Sequence, residues 1–425
     1  MGTSIANEAK ISSLVSHLTT PRRLPAKFIW LNAMALTAMV AGLALGCLLP
    51  QGPSFHNSNQ GAVLIFFDGK WYQNIALNGY RWDSMLGVLK GHYQNTAFFP
   101  LYPLIERLLI TIPGMGSQYG LSLLSLFFGL WSNLAFSRFT LRLLPESSAF
   151  WACAFFICWP AACFLWMGYP TGLINLCAIY CLQDYIEARR FRAAIWCGLG
   201  SAIAPTMVFV AAALCLHSAL KWVKEDAKPR EIPKLIAFGL ISVSGLLAFM
   251  AYMFFKFHDA FVFIKAQEAW GSSPNFVGHL VQFLDPIRYL VVFGFVVRAV
   301  DGVLHHHFLA TETGRDTVNI AFQLLFDFFA VCLGIFAMSR TFRRFRHKEI
   351  SIAGLFVVLG YLWFLVSTTS YFVDGIRLLY PAVALFLGMG DWAAKSKSRC
   401  CALLGIFLLL LVVETALVKA GYSVI

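Results

Sequence analysis

Charge is scarce in this chain. Asp, Glu, Lys and Arg make up 13% of its 425 residues, against 59% hydrophobic residues. A water-soluble globule of this length needs far more charge to cover its surface, so that class is excluded. Metal-ligand spacing is also missing. The 11 cysteines are scattered, mostly inside apolar segments, with no CxxC pair, and Cys400-Cys401 lies beside a basic cluster; they read as small hydrophobes. His305-His306-His307 has no acidic or cysteine partner at ligand spacing and reads as a loop feature. P-loop, GxGxxG, HExxH and serine-nucleophile motifs are lacking as well, so no nucleotide site is expected and any donor would arrive through the membrane. Ten-residue alternation is not seen, which excludes a β-barrel. Residues 1–26 are polar and mixed and the apolar run begins near Phe28. The expectation is therefore an uncleaved signal anchor, not a cleavable signal peptide.

What the chain does have is apolar runs. A spanning helix needs about 20 mostly apolar residues, and many runs of that length occur. The predicted fold class is an all-α polytopic membrane protein forming a single domain over 1–425, with about nine to eleven spanning or re-entrant helices. The net charge of +12 does not point to nucleic acid, because the basic residues sit in short clusters between apolar runs, as the positive-inside rule describes. Arg22/Arg23/Lys27, Arg138/Arg142, Arg189/Arg190/Arg192, Lys221 to Lys234, Arg340 to Lys348 and Lys395/Lys397/Arg399 are all placed on the cytoplasmic side.

The path that follows starts with a cytoplasmic tail at 1–27, a span near 28–49 and a first external loop at 50–97. The piece 98–112 carries Glu106 and Arg107 at its middle and reads as re-entrant or interfacial. Spans are expected at 118–137, 149–168 and 171–187, a broken hairpin over 193–220 at Ala204-Pro205, and a span at 235–255. A second external loop at 256–316 carries interfacial helix, and spans near 317–338, 350–370, 376–393 and 401–421 complete the path. Built from Lys and Arg alone, it puts 66–103, Tyr169, 261–271 and Arg377 on one side.

Two stretches on that side are unusual. One runs Phe66-Phe67-Asp68-Gly69-Lys70-Trp71-Tyr72-Gln73-Asn74-Ile75-Ala76-Leu77-Asn78-Gly79-Tyr80, the other Ala97-Phe98-Phe99-Pro100-Leu101-Tyr102-Pro103. As a helix, 67–80 puts Asp68, Trp71, Tyr72, Ile75, Ala76 and Gly79 on one broad face and Lys70, Gln73, Asn74 and Asn78 on the other. Asp68 is a candidate base or a helix N-cap. Pro100 and Pro103 fix a kinked path into the membrane, with the aromatics as site lining or as an interfacial belt. The segment 261–271 is a second aromatic and polar piece, or a surface helix. Arg377 stands at the mouth of a span, suited to a lipid phosphate or merely snorkelling. Asp327 and Glu414 lie within spans, where a structural partner is the expected reading.

These residues resemble the PIG-V family, GPI mannosyltransferase 2 and its bacterial relatives, in the GT-C class of membrane glycosyltransferases. The similarity is carried by Phe67-Asp68, Trp71-Tyr72, Ile75-Ala76, Gly79-Tyr80 and Ala97 to Pro103, then by Phe263, Ala266, Gln267, Trp270 and Gly271, and by Arg377, Tyr380 and Pro381 with altered spacing. Two family features are absent. Tyr169-Pro170-Thr171-Gly172 lacks the family's Glu, and Ser201-Ala202-Ile203-Ala204-Pro205-Thr206 lacks its Arg.

The resemblance implies a GT-C-like helical bundle and inverting transfer of a sugar, mannose above others, from a polyprenyl-phosphate donor to a lipid or glycan hydroxyl on the external face. It implies Asp68 as base, Arg377, Lys265 and Lys70 as donor-phosphate partners, and substrate contacts from Trp71, Tyr72, Tyr80, His92, Phe98, Phe99, Tyr102, Tyr169, Gln267 and Trp270. No metal or cofactor is expected, because a lipid-phosphate leaving group does not require a metal as a nucleotide diphosphate does. Membrane lipids are the surrounding partners, and a small membrane partner subunit is left open. The compact length and the Phe-Asp-Gly-Lys-Trp-Tyr form look like the bacterial relatives. A bacterial inner membrane with the N-terminus cytoplasmic is expected, or the ER membrane for a eukaryotic chain. The rival readings are a lipid-linked sugar transporter or flippase, against which no inverted repeat is seen, and an inactive membrane scaffold.

Overall fold

The computed structural model describes residues 24–49, 65–84, 92–224, 232–268, 294, 332–345, 377 and 379–421. Among them are helices and short 3-10 turns and no strand, so the chain is an all-α multi-pass membrane protein. Four described helices are long and apolar enough to cross a membrane, or five if one bent pair counts as a span. Most of the expected spans 317–338 and 350–370, and Asp327, lie outside the described residues.

Helix α1 (Ala26–Gly46) packs along the helix at the far end of the chain, Lys397–Ala420. Glycine makes this close: a Cβ on Gly42 would fall 2.6 Å from Thr415 Cβ, and one on Gly46 2.6 Å from the Ala416 carbonyl. Small residues of this kind let membrane helices approach where no hydrophobic drive between them exists. Next come α2 (Asp68–Asn78), a 3-10 turn at Asn95–Ala97, α3 (Leu101–Leu109) and the long α4 (Ser117–Leu143).

Of the spans expected at 149–168 and 171–187, the first is built otherwise. Helix α5 (Glu146–Ile157) stops, a 3-10 turn runs over Pro160–Leu165, and α6 (Thr171–Ile186) begins after Pro170. Pro160 cannot donate to the helix behind it, and Gly168 takes a left-handed φ of 74° just before α6. All residues from 152 to 179 are buried, so this is the molecule's centre and not a lipid-facing pair. Its core is aromatic: Phe136 stacks on Phe156 at 4.2 Å, and Trp159 and Phe156 both meet Phe386 edge-on at 5.2 Å.

The expected hairpin is present, with α7 (Arg190–Ser201) and α8 (Thr206–Lys224) joined by a turn ending at Ala204-Pro205. The span expected at 235–255 is bent by 58° into α9 (Ile232–Ser242) and α10 (Ser244–Phe257). Gly245 lies so close to α7 that any side chain would collide with it. The Ser201 hydroxyl accepts the Leu246 N–H at 3.2 Å, so a donor near the break keeps a partner. Helix α11 (Val262–Glu268), a helical stretch over 332–344, α12 (Ala384–Ala393) and α13 (Lys397–Ala420) complete the described chain.

Candidate functional site

Helix α2 begins abruptly. Phe67 holds φ 41°, an uncommon conformation for a bulky residue, and Asp68 is the first helical residue after it. Backbone strain of this kind persists only where the surroundings over-determine it. The N-cap position belongs to Phe67 and no side chain caps the helix, which removes the N-cap reading of Asp68. Its backbone N–H donates to the Tyr169 hydroxyl at 3.2 Å across 101 residues of chain. Gly69 lies against the backbone before Tyr169, where a Cβ would come within 3.3 Å of the Gly168 carbonyl.

The Asp68 carboxylate itself meets Arg377. Nη1 of Arg377 donates to Oδ2 of Asp68 at 3.1 Å, across 309 residues, and each side chain is 16% exposed. The guanidinium lies 4.9 Å from the centroid of the Tyr169 ring and 5.6 Å from that of Phe164. Tyr169 thus supports both members of the pair, its hydroxyl on one and its ring on the other. It is itself fixed, since its carbonyl accepts the Ser125 hydroxyl at 3.0 Å and Ser125 meets the Tyr102 hydroxyl at 2.7 Å. A charge pair that is shielded but still reached by solvent is stronger than a surface pair and remains open to exchange.

The aromatic motif wraps this point mainly by packing. Tyr72, Tyr80, Phe98, Phe99, Tyr102 and Tyr169 are all buried. The Tyr80 hydroxyl donates to the Phe98 carbonyl at 2.8 Å, Tyr72 meets Phe98 and Tyr102 edge-on, and Phe99 sits among Phe249 and Phe263. An exposed interfacial belt over 98–102 is therefore not what forms. Trp71, half-buried, stacks on Phe98 at 5.9 Å. Gln267 on α11 donates to the Ala97 carbonyl at 3.2 Å, which brings 262–268 to the same group.

Other candidates lie differently. Lys265 is ion-paired to Asp259 at 2.6 Å, and that hydrogen bond draws the Asp259 carboxyl below its ordinary range. Lys70 is half-buried, and burial pulls its ammonium below the ordinary lysine value. His92 is exposed. Trp270 lies outside the described residues. Among the described residues no three His, Cys, Asp or Glu side chains gather as a metal would require.

Three neighbours were not legible as site residues. Phe164 was hidden in an apolar run that reads as lipid-facing. Lys419, near the end of α13, brings its ammonium 5.9 Å from the Phe66 ring. Glu106, on α3, is fully buried, and neither carboxylate oxygen has a hydrogen-bond partner among the described residues. Burial pushes its carboxyl up to about 8.

No family model matches the chain, and no curated protein matches it. Solved structures of an oligosaccharyltransferase from Archaeoglobus fulgidus are similar at low identity. The archaeal oligosaccharyltransferase AglB, in complex with an inhibitory peptide and a dolichol-phosphate, aligns with 94% of this chain at 14% identity and a TM-score of 0.44. The apo form aligns with 93% at 14% identity and 0.47, and the form tethered to an acceptor peptide with 93% at 14% and 0.45. The chain spans about half the length of these proteins, 55–56%.

Proposed function

We propose that this protein is a GT-C-type membrane glycosyltransferase that moves a sugar, mannose above others, from a polyprenyl-phosphate donor to a hydroxyl of a lipid or glycan acceptor, with inversion. The observation that carries this reading is the meeting of Asp68 with Arg377 on Tyr169. Inverting transfer needs a base on one side of the sugar's C1 and a cation for the leaving phosphate on the other. The acceptor oxygen bonds to C1 as its proton passes to Asp68. The bond from C1 to the phosphate oxygen breaks, and its electron pair stays on the polyprenyl phosphate, neutralised by Arg377. A planar guanidinium suits a phosphate's oxygens. Half-buried Trp71, one turn along α2 from Asp68, offers an aromatic face for sugar or prenyl groups.

The test is transfer in vitro. Purified protein is mixed with radiolabelled polyprenyl-phosphate mannose and total membrane lipid, wild type against Asp68→Asn. Labelled product from wild type alone supports the reading. Donor binding without product from either protein moves the assignment to a carrier, and Arg377→Ala is expected to weaken donor binding about 10- to 100-fold.

A further inference from the structure

The Asp68–Arg377 pair is too short to hold a reacting complex. This inference rests on the proposed function and concerns how its site is regulated. In the reacting arrangement the base lies about 2.6–3.2 Å from the acceptor hydroxyl, the acceptor oxygen about 3–3.5 Å from C1, and the phosphate about 2.7–2.9 Å from the guanidinium. With a sugar carbon and its phosphate between them, base and cation stand roughly 8 Å apart. The observed separation is 3.1 Å. No sugar fits in line between the paired Oδ2 and Nη1 atoms, so an in-line complex across them requires that bond to open.

We infer that Asp68 is an internal competitor for the donor phosphate: the resting site is closed by the Asp68–Arg377 pair, and donor binding opens it by exchanging one anion on Arg377 for another. The surroundings suit an exchange. Arg377 lies over the Tyr169 and Phe164 rings, contacts that use no hydrogen bond and tolerate a change of anion. The Asp68 main chain is tethered separately, through its N–H to the Tyr169 hydroxyl, so its side chain can let go of Arg377 while α2 stays in place. Both groups are 16% exposed, enough for an incoming phosphate to reach the guanidinium.

The exchange also orders the steps. Before donor binds, the base is occupied and cannot activate water or acceptor. After transfer, Asp68 carries the acceptor's proton and is neutral, so it does not compete for Arg377. Once it gives that proton to solvent, its charge returns, the pair re-forms and the lipid phosphate is displaced.

The experiment is equilibrium binding of undecaprenyl monophosphate, the bare leaving group, to full-length protein in detergent micelles. The comparison covers wild type, Asp68→Asn, Arg377→Gln and the double variant, with Asp83→Asn as a control for the lost surface charge. Removing the competitor should tighten binding by Asp68→Asn about tenfold over wild type, within the 5- to 150-fold range of coupled sites. The gain should vanish in the Arg377→Gln background and be absent in Asp83→Asn. Should Asp68→Asn not fold, Asp68→Ala makes the same comparison. Equal affinity of wild type and the Asp68 variant, or a gain that survives loss of Arg377, overturns the competitor while leaving the proposed transfer standing. Absence of binding by every variant overturns the glycosyltransferase reading beneath it, and the competitor falls with it.

Discussion

The two ends of helix α6 hold carboxylates in opposite ways. At its C-terminal end, Asp184 is 2% exposed and pairs with Arg189 at 3.4 Å and Arg192 at 3.3 Å, while Glu187 pairs with Arg142 at 2.8 Å and Arg189 at 2.9 Å. At the N-terminal end Asp68 has Arg377 across 309 residues, on an aromatic support. The first is a local, redundant network in which three of the partners lie within eight residues of Asp184, and losing one cation leaves others. The second brings one carboxylate and one cation from distant parts of the chain to a partly open point. Redundancy serves stability, and an exchangeable pair between distant segments suits the proposed chemistry. Glu106 extends the series to a carboxyl with no described hydrogen-bond partner at all.

Substitutions can break or sharpen this contrast. The largest effect is expected from Asp68→Asn, which should lower transfer about 10²- to 10⁴-fold, the usual contribution of a general base. Its thermal midpoint should stay near wild type, checked by product counting and by unfolding in detergent. Glu106→Gln should act on stability through pH. The folded carboxyl is pushed up to about 8, above its unfolded value, so wild-type stability is full below the unfolded pKa and is lost as pH rises towards 8. The Gln variant lacks that slope. Its advantage near pH 8 should approach about 4 kcal/mol by linkage, read as the difference in thermal midpoint between acid and mildly alkaline buffer.

Asp184→Asn should cost about 1–3 kcal/mol, as expected when a buried acceptor loses its charged partners. Transfer per folded molecule should be unchanged, which a combined activity and melting measurement would show. The smallest effect is expected from Tyr169→Phe. It keeps the ring under Arg377 and removes one hydrogen bond to α2, costing about 0.5–1.5 kcal/mol. A rise in Km with little change in kcat would identify the hydroxyl as a positioning group.

Much of this architecture was legible in the amino-acid order. Apolar run length defined the helices at 26–46, 117–143 and 397–420, and Pro205 announced the hairpin turn. Basic clusters alone grouped 66–103, Tyr169, 261–271 and Arg377 on one side, and the Asp68–Arg377, Asp68–Tyr169 and Gln267–Ala97 contacts join members of that group. Hydropathy could not reveal that 152–179 is the protein's core, because a helix facing lipid and one facing protein are equally apolar. For the same reason Phe164 was invisible as a support for Arg377. The bend at Val243 depends on how closely Gly245 approaches α7, a contact set by tertiary packing and not by local preference. The aromatic motif was legible as a group, but most of its rings pack against one another.

The 309 residues between Asp68 and Arg377 also set a schedule for birth. At the usual pace of synthesis, about 5–20 residues per second, the carboxylate is made about 15–60 s before its cation. Through that interval α2 lacks the ion pair that closes its start, and the half-made chain carries the proposed base without its paired cation. On the proposed chemistry, competence arrives only after residue 377 is made, and a ribosome that stalls before it leaves a fragment without the pair.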